Sequence, residues 1–221
     1  MSSHHPEKMM LDGPAGKLEA LYHQGEAGKP AIVVCHPHPV YGGTMRNKVV
    51  YWMTRAFEEL GFSVLRFNFR GVEKSEGKWD EGVGEADDVT AMIDWLEENH
   101  PNSPLYLAGF SFGTYAGLQA ARHDSRIQKM LAVAPAVNLW SFDFILGDTR
   151  PLTIIQGTAD EIVPFEQVKT FASKLPHVQF YEVESAGHFF PNHLEELQRL
   201  CSTIHEPRMH VGLTPPLSIV P

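Results

Sequence analysis

Short runs of Val, Ile, Leu and Phe recur along the chain, and between them lie longer stretches whose apolar residues return every three to four positions. Short, nearly continuous apolar runs read as buried strands, and a return near 3.6 residues reads as one face of a helix. Residues 18–23, 31–35, 63–67, 105–108, 130–134, 152–156 and 179–183 are the expected strands. Several carry almost no polar residue, as a strand covered on both faces requires. Between them, residues 47–60 set Val49, Val50, Met53, Phe57 and Leu60 on one side of a helix that Gly61 ends. A second helix over 85–99 buries Val89, Met92, Ile93 and Leu96, and Pro101, which lacks an N–H, stops it. Helices over 112–122, 165–175 and 193–204 complete the set. Parallel strands joined by helices cross over with one hand, so the expected product is an α/β domain: one open, twisted, mostly parallel sheet with helices on both faces. Ligands of such sheets bind outside the carboxyl ends of the strands.

The chain's 221 residues suit one domain of this kind, read here as residues 1–206. Residues 207–221 carry four prolines after the last expected helix and read as a tail. Hydrophobic residues make up 43% and charged residues 20%, enough for a sizeable core and outside the range of disordered chains. The 27 acidic residues outnumber 18 basic ones, and a net charge of -9 repels a phosphate backbone, so nucleic acid is not an expected partner. No apolar run approaches the roughly 18 residues a membrane span needs, and the polar first ten residues hold no secretory core. Cys35 and Cys201 stand at neither metal nor redox spacing, which suits a reducing compartment. A cytoplasmic protein is the expectation. His4 and His5 read as an exposed terminus, and no feature specifies an oligomeric state.

The segment that carries chemistry is Gly109-Phe110-Ser111-Phe112-Gly113, a G-x-S-x-G motif where an expected strand runs into an expected helix. A serine hydroxyl is a poor nucleophile unless it is aimed at a base, and a sharp strand-to-helix turn achieves that aim through a strained backbone. Gly109 and Gly113 leave room where the two backbones close, and Gly117 continues the small face into the helix. The bare motif is common, arising by chance in roughly one such chain in ten. Its context and two further residues give it weight. Asp160 ends a glycine-containing turn after the strand at 152–156, and His188 ends a small-residue turn after the last strand. Rivals exist for both: Glu161, Asp143 and Asp148 for the acid, His177 and His193 for the imidazole.

With these residues in view, the chain resembles the α/β-hydrolase family from about residue 31 to residue 200, and most closely its small lidless bacterial members related to dienelactone hydrolases. Ser, Asp and His stand in the order that family uses. Two further segments carry the resemblance, Cys35-His-Pro-His-Pro-Val-Tyr-Gly-Gly-Thr-Met45 and the Arg70-Gly71 turn after Phe67-Asn-Phe69. The resemblance implies a triad of Ser111, Asp160 and His188 hydrolysing an ester or related acyl bond; no cofactor and no metal are expected. It implies the Phe112 amide as one oxyanion donor. Pro37 and Pro39 have no N–H, so the second donor lies between or beyond them, and by analogy with members whose donor follows a His-Gly pair the resemblance implies the amide of His38, with Val40 as the fallback. Dienelactone hydrolases use a cysteine nucleophile where this chain has Ser111.

Other readings of the same residues lead elsewhere. His36 and His38 are spaced like a metal pair, but no carboxylate accompanies them, and a loop brace is the simpler reading of His36. Arg70 with Glu73, Lys74, Ser75 and Glu76 hints at phosphate, yet no phosphate-loop pattern occurs and a solvated loop is expected. Only residues 135–150 lie between two late strands, too few for a cap domain. Trp140, Phe142, Phe144, Ile145 and Leu146 in that stretch form either an apolar wall beside the site or a short helix packed on the core. The expected function is a serine hydrolase of small carboxylic esters acting through an acyl-enzyme. Thioester, lactone and peptide hydrolysis share that machinery, and a non-catalytic binding or scaffold protein on the same fold is the alternative.

Overall fold

The computed structural model describes residues 5–206, so the proline-rich tail expected at 207–221 lies outside the described residues. Eight strands form one sheet: β1 (Glu7–Gly13), β2 (Gly16–His23), β3 (Ala31–Cys35), β4 (Ser63–Phe67), β5 (Leu105–Phe110), β6 (Ile127–Val133), β7 (Leu152–Gly157) and β8 (Val178–Val183). Their spatial order is β1-β2-β4-β3-β5-β6-β7-β8. From β4 to β8 every neighbouring pair is parallel, while β2 runs antiparallel to both β1 and β4. Every residue of β3, β4, β5 and β7 is buried, which is why these strands read as predominantly apolar runs, broken only by Ser63 and Arg66 in β4 and by Thr153 and Gln156 in β7.

Five helices cover the two faces: α1 (Lys48–Glu59), α2 (Val83–Asn99), α3 (Phe112–Ala121), α4 (Phe165–Ala172) and α5 (Leu194–Cys201). One core packs Val89, Met92 and Leu96 of α2, Ala116 and Leu118 of α3 and Val168 of α4 onto one face of the sheet. A second core packs Val49, Met53 and Phe57 of α1 and Leu197 and Leu200 of α5 onto the other. Asn47 starts α1 by accepting the Val49 N–H at 2.9 Å, satisfying one of the donors every helix start leaves open. Among the described residues no helix is long and apolar enough to cross a membrane. Between β6 and β7 lies a single 3-10 turn, Asp143–Ile145, and no cap domain.

The structure departs from the expected elements at several points. Residues 7–13, where no strand is expected, form β1, hairpinned to β2 through Gly13-Pro14-Ala15-Gly16. Only Leu11 of that strand is buried, so an edge strand with one buried residue leaves no apolar signal. β6 begins three residues earlier than expected and ends at Val133, because Ala134 turns to φ 47°. α4 and α5 are shorter than expected, and the chain after α5 tightens into the 3-10 turn Ser202–His205.

Candidate active site

At the carboxyl end of β5 the chain passes into α3 through Ser111, whose backbone sits at φ 53°, ψ -119°. A non-glycine residue in that region is strained by about 1–3 kcal/mol and persists only where its surroundings hold it. They do so here from three directions. The Ser111 N–H donates to the Val133 carbonyl at 2.9 Å, and the Ser111 carbonyl accepts from the Thr114 N–H at 3.0 Å and the Thr114 hydroxyl at 2.6 Å. The third constraint is close packing: a Cβ at Gly113 would overlap the carbonyl oxygens of Cys35 and His36, and one at Gly109 would lie 2.5 Å from the Gly113 oxygen. The G-x-S-x-G spacing is thus a requirement of backbone contact between β5, α3 and the end of β3.

His188 and Asp160 reach the same rim from the turns after β8 and β7. His188 Nε2 lies 3.1 Å from Ser111 Oγ, and His188 Nδ1 lies 2.9 Å from Asp160 Oδ2. Since a carboxylate only accepts, Nδ1 carries the proton and Nε2 is free to accept from the serine hydroxyl. The Asp160 carboxylate takes four donors in all: the Ile162 and Val163 amides on Oδ1 at 2.9 and 2.7 Å, and the Gln156 amide on Oδ2 at 2.9 Å beside His188. Burial pushes its pKa up, but the His188 hydrogen bond and charge and the two amides outweigh that and hold it below the ordinary aspartate value. Phe110 and Phe189 pack on the imidazole with ring centroids 5.0 and 5.1 Å away.

The rivals go elsewhere. Glu161 accepts the backbone N–H of His188 at 3.0 Å, so it fixes the main chain beside the imidazole instead of the ring. Asp143 bonds the Ser141 hydroxyl, Asp148 pairs with Arg150, and His193 faces the Pro191 carbonyl at the exposed start of α5. Gln156, a residue sequence reasoning passed over, is fully buried and spends its amide on Asp160 and on the Val163 carbonyl. Its only sequence signal is a polar residue inside an apolar strand.

The oxyanion candidates are the amides of Phe112 and His38. Phe112 opens α3, so its N–H has no acceptor within the helix. Among the described residues nothing accepts the His38 N–H, whereas the Val40 N–H is taken by His38 Nδ1 at 3.2 Å. Both ring nitrogens of His36 are engaged within the protein, one with the Phe69 N–H and one with the Pro37 carbonyl, so it braces the loop and does not pair with His38 on a metal. Of the loop expected to be solvated, Glu73, Lys74 and Glu76 are exposed, but Arg70 and Ser75 are not: the Arg70 guanidinium is buried and grips Asp88 of α2 through Nη2 at 2.7 Å and Nε at 3.1 Å. The 135–150 segment divides between its two readings. Trp140 stands 5.2 Å from the Phe112 ring and 5.5 Å from His38, while Phe142 and Ile145 are buried in the core. Trp79, from the loop after β4, joins that wall 4.6 Å from His38, and no sequence pattern announced it.

A hydroxyl, an imidazole and a buried carboxylate so arranged are able to form and discharge an ester of the serine. A family model described as the alpha/beta hydrolase fold matches residues 30–150. An uncharacterised protein of Rickettsia prowazekii is 37% identical over 203 residues, covering 87% of this chain and 85% of the relative. Two solved structures superpose along most of the chain. An alpha-beta serine hydrolase homologue from Coxiella burnetii is 38% identical with a TM-score of 0.84, covering 93% of this chain and 100% of that one. A lidless α/β serine hydrolase from Xanthomonas campestris is 36% identical with a TM-score of 0.82, covering 91% and 94%. This chain belongs to the α/β-hydrolase family.

Proposed function

We propose that the protein is a carboxylesterase-type serine hydrolase of small esters, with Ser111 as nucleophile, His188 as general base and acid, and Asp160 as its partner. The observation that carries this reading is the unbroken chain from Ser111 Oγ through both nitrogens of His188 to Asp160, begun at a serine whose backbone is held at positive φ. His188 Nε2 takes the hydroxyl proton as Oγ bonds to the acyl carbon, and the carbonyl π pair moves onto oxygen. Asp160 holds the Nδ1–H tautomer and stabilises the imidazolium that forms. The amides of Phe112 and His38 meet the oxyanion, an interaction for which each donor typically lowers the barrier by about 3–4 kcal/mol. Collapse expels the alcohol, which leaves with the proton from Nε2. Water then repeats the sequence on the acyl-enzyme, releases the acid and returns the proton to Ser111.

The short connection between β6 and β7 leaves the rim open, and the exposed side chains of Ile162 and Phe189 flank the acid and the imidazole, which suits an apolar acyl group. A binding protein on this fold is disfavoured by the uncommitted His38 amide. The test is turnover of acetyl and butyryl aryl esters by the protein and by Ser111→Ala. The expected loss in kcat/KM is at least about 10⁴-fold. Equal turnover by both would refute the reading.

A further inference from the structure

His36 is a fully buried titratable side chain for which the scheme above has no task. Its two contacts define its protonation. The Phe69 N–H donates to Nε2 at 3.0 Å, so Nε2 is bare, and Nδ1 lies 2.6 Å from the Pro37 carbonyl oxygen, so Nδ1 carries the hydrogen. Burial pushes its pKa down to about 3, which keeps that neutral tautomer in place. The acceptor matters most. The Pro37 carbonyl belongs to the same peptide unit as the His38 N–H, and the unit is planar and trans. In a trans peptide the C=O and N–H point in opposite directions, so fixing the carbonyl toward His36 turns the His38 N–H to the other side. On its other flank the same carbonyl is crowded by Gly43, where a Cβ would overlap Pro37 O and C. His38 itself packs its ring 5.1 Å from that of Phe112, the residue bearing the other open amide. The Phe69 contact ties the whole device to the end of β4, 33 positions along the chain.

We infer that His36 is a positioning residue: its Nδ1–H holds the Pro37–His38 peptide in the orientation that presents the His38 N–H to the oxyanion, and Gly43 keeps space for that orientation. The inference rests on the serine-hydrolase reading, in which His38 is a donor. The two contacts of His36 can be separated by substitution. Asn places a donor near the Nδ1 position and keeps the bond to Pro37 O while losing the acceptor for Phe69. Gln places an acceptor near Nε2 for the Phe69 N–H and loses the donor to Pro37 O.

The experiment measures kcat, KM, urea stability and affinity for a trifluoromethyl ketone, which forms an oxyanion adduct, on the full chain. His36→Gln is expected to lower kcat about 10- to 100-fold, less than the roughly 10²–10³-fold of a lost donor, with KM within about threefold. Ketone affinity falls in parallel. His36→Asn retains kcat and ketone affinity within about fivefold of the parent, although it loses stability as well. Gly43→Ala, which disturbs the same peptide from the other side and leaves His36 intact, shows the pattern of His36→Gln and decides the matter should the histidine variants not fold. The inference is overturned by Gln and Asn variants that lose kcat equally in step with stability, or by a Gly43→Ala protein with unchanged kcat and ketone affinity. Failure of the underlying reading looks different: the parent protein itself would neither cleave the ester nor bind the ketone.

Discussion

The two rims that face Ser111 are held in opposite ways. The acid and imidazole rim is built from short turns, and Asp160 draws three of its four donors from residues within four positions of itself. The rim proposed to hold the oxyanion is the longer stretch between Cys35 and α1, and distant side chains pin it. Besides the bond between His36 and Phe69, Asn68 Oδ1 accepts the Met45 N–H at 2.8 Å and Arg66 donates to the Met45 carbonyl at 3.2 Å. Arg46 pairs with Glu19 of β2 and with Glu73. Burial pushes the Glu19 carboxyl up, but its bonds to Arg46 and Asn68 hold it below the usual range and therefore charged. A locally built rim loses function when a reacting group is deleted. A remotely pinned rim loses function when its aim drifts, with all its groups still present.

The sharpest way to break this contrast is at the acid. Asp160→Asn is expected to lower kcat/KM about 10³–10⁴-fold by favouring the wrong imidazole tautomer. Glu161→Gln, which touches only the His188 main chain, is expected to cost less than about tenfold. An order reversed between the two would move the acid to Glu161. The same variant carries a pH signature. Because the folded pKa of Asp160 is depressed, its stabilising contribution is present above the unfolded value of about 3.9 and is lost as pH falls through the lower folded value. In urea unfolding, the stability gap between the parent and Asp160→Asn is therefore expected to narrow below about pH 4.

Smaller effects sharpen the contrast where the elbow meets the oxyanion rim. Gly113→Ala drives a methyl group into the main-chain oxygens of Cys35 and His36, and urea unfolding is expected to show a loss of about 1–3 kcal/mol. Gly117→Ala is expected to be near neutral. Its new methyl would meet a Leu107 side-chain carbon at 3.2 Å, which is able to give way, and alanine regains up to about 1 kcal/mol of helix propensity. Equal losses at both positions would remove the claim that only the first glycine is required by backbone contact.

The same division explains what the sequence disclosed. Ser111 and Asp160 each follow a buried strand within a few residues, and His188 follows the half-buried β8, so a strand ending in a small-residue turn marks each of them directly. The helices announced themselves by period, and β2 to β8 as short runs rich in apolar residues. What stayed hidden depends on partners far along the chain. Nothing near Arg70 says that it will turn inward to Asp88, 18 positions on. Trp79 joins the aromatic wall only because the loop after β4 folds over His38, and β1 pairs at an edge where one buried leucine suffices. The brace suggested for His36 was legible as a role, but not its two partners.

The account stands on a serine hydroxyl that an imidazole activates. Its most direct test is the rate and site of modification by an aryl fluorophosphonate, followed by intact mass and peptide mapping on the parent protein and on His188→Ala. One adduct per chain on Ser111, formed at least about 100-fold more slowly in His188→Ala, is the predicted result. An adduct at another residue, or equal rates on Ser111 with and without the imidazole, would contradict it.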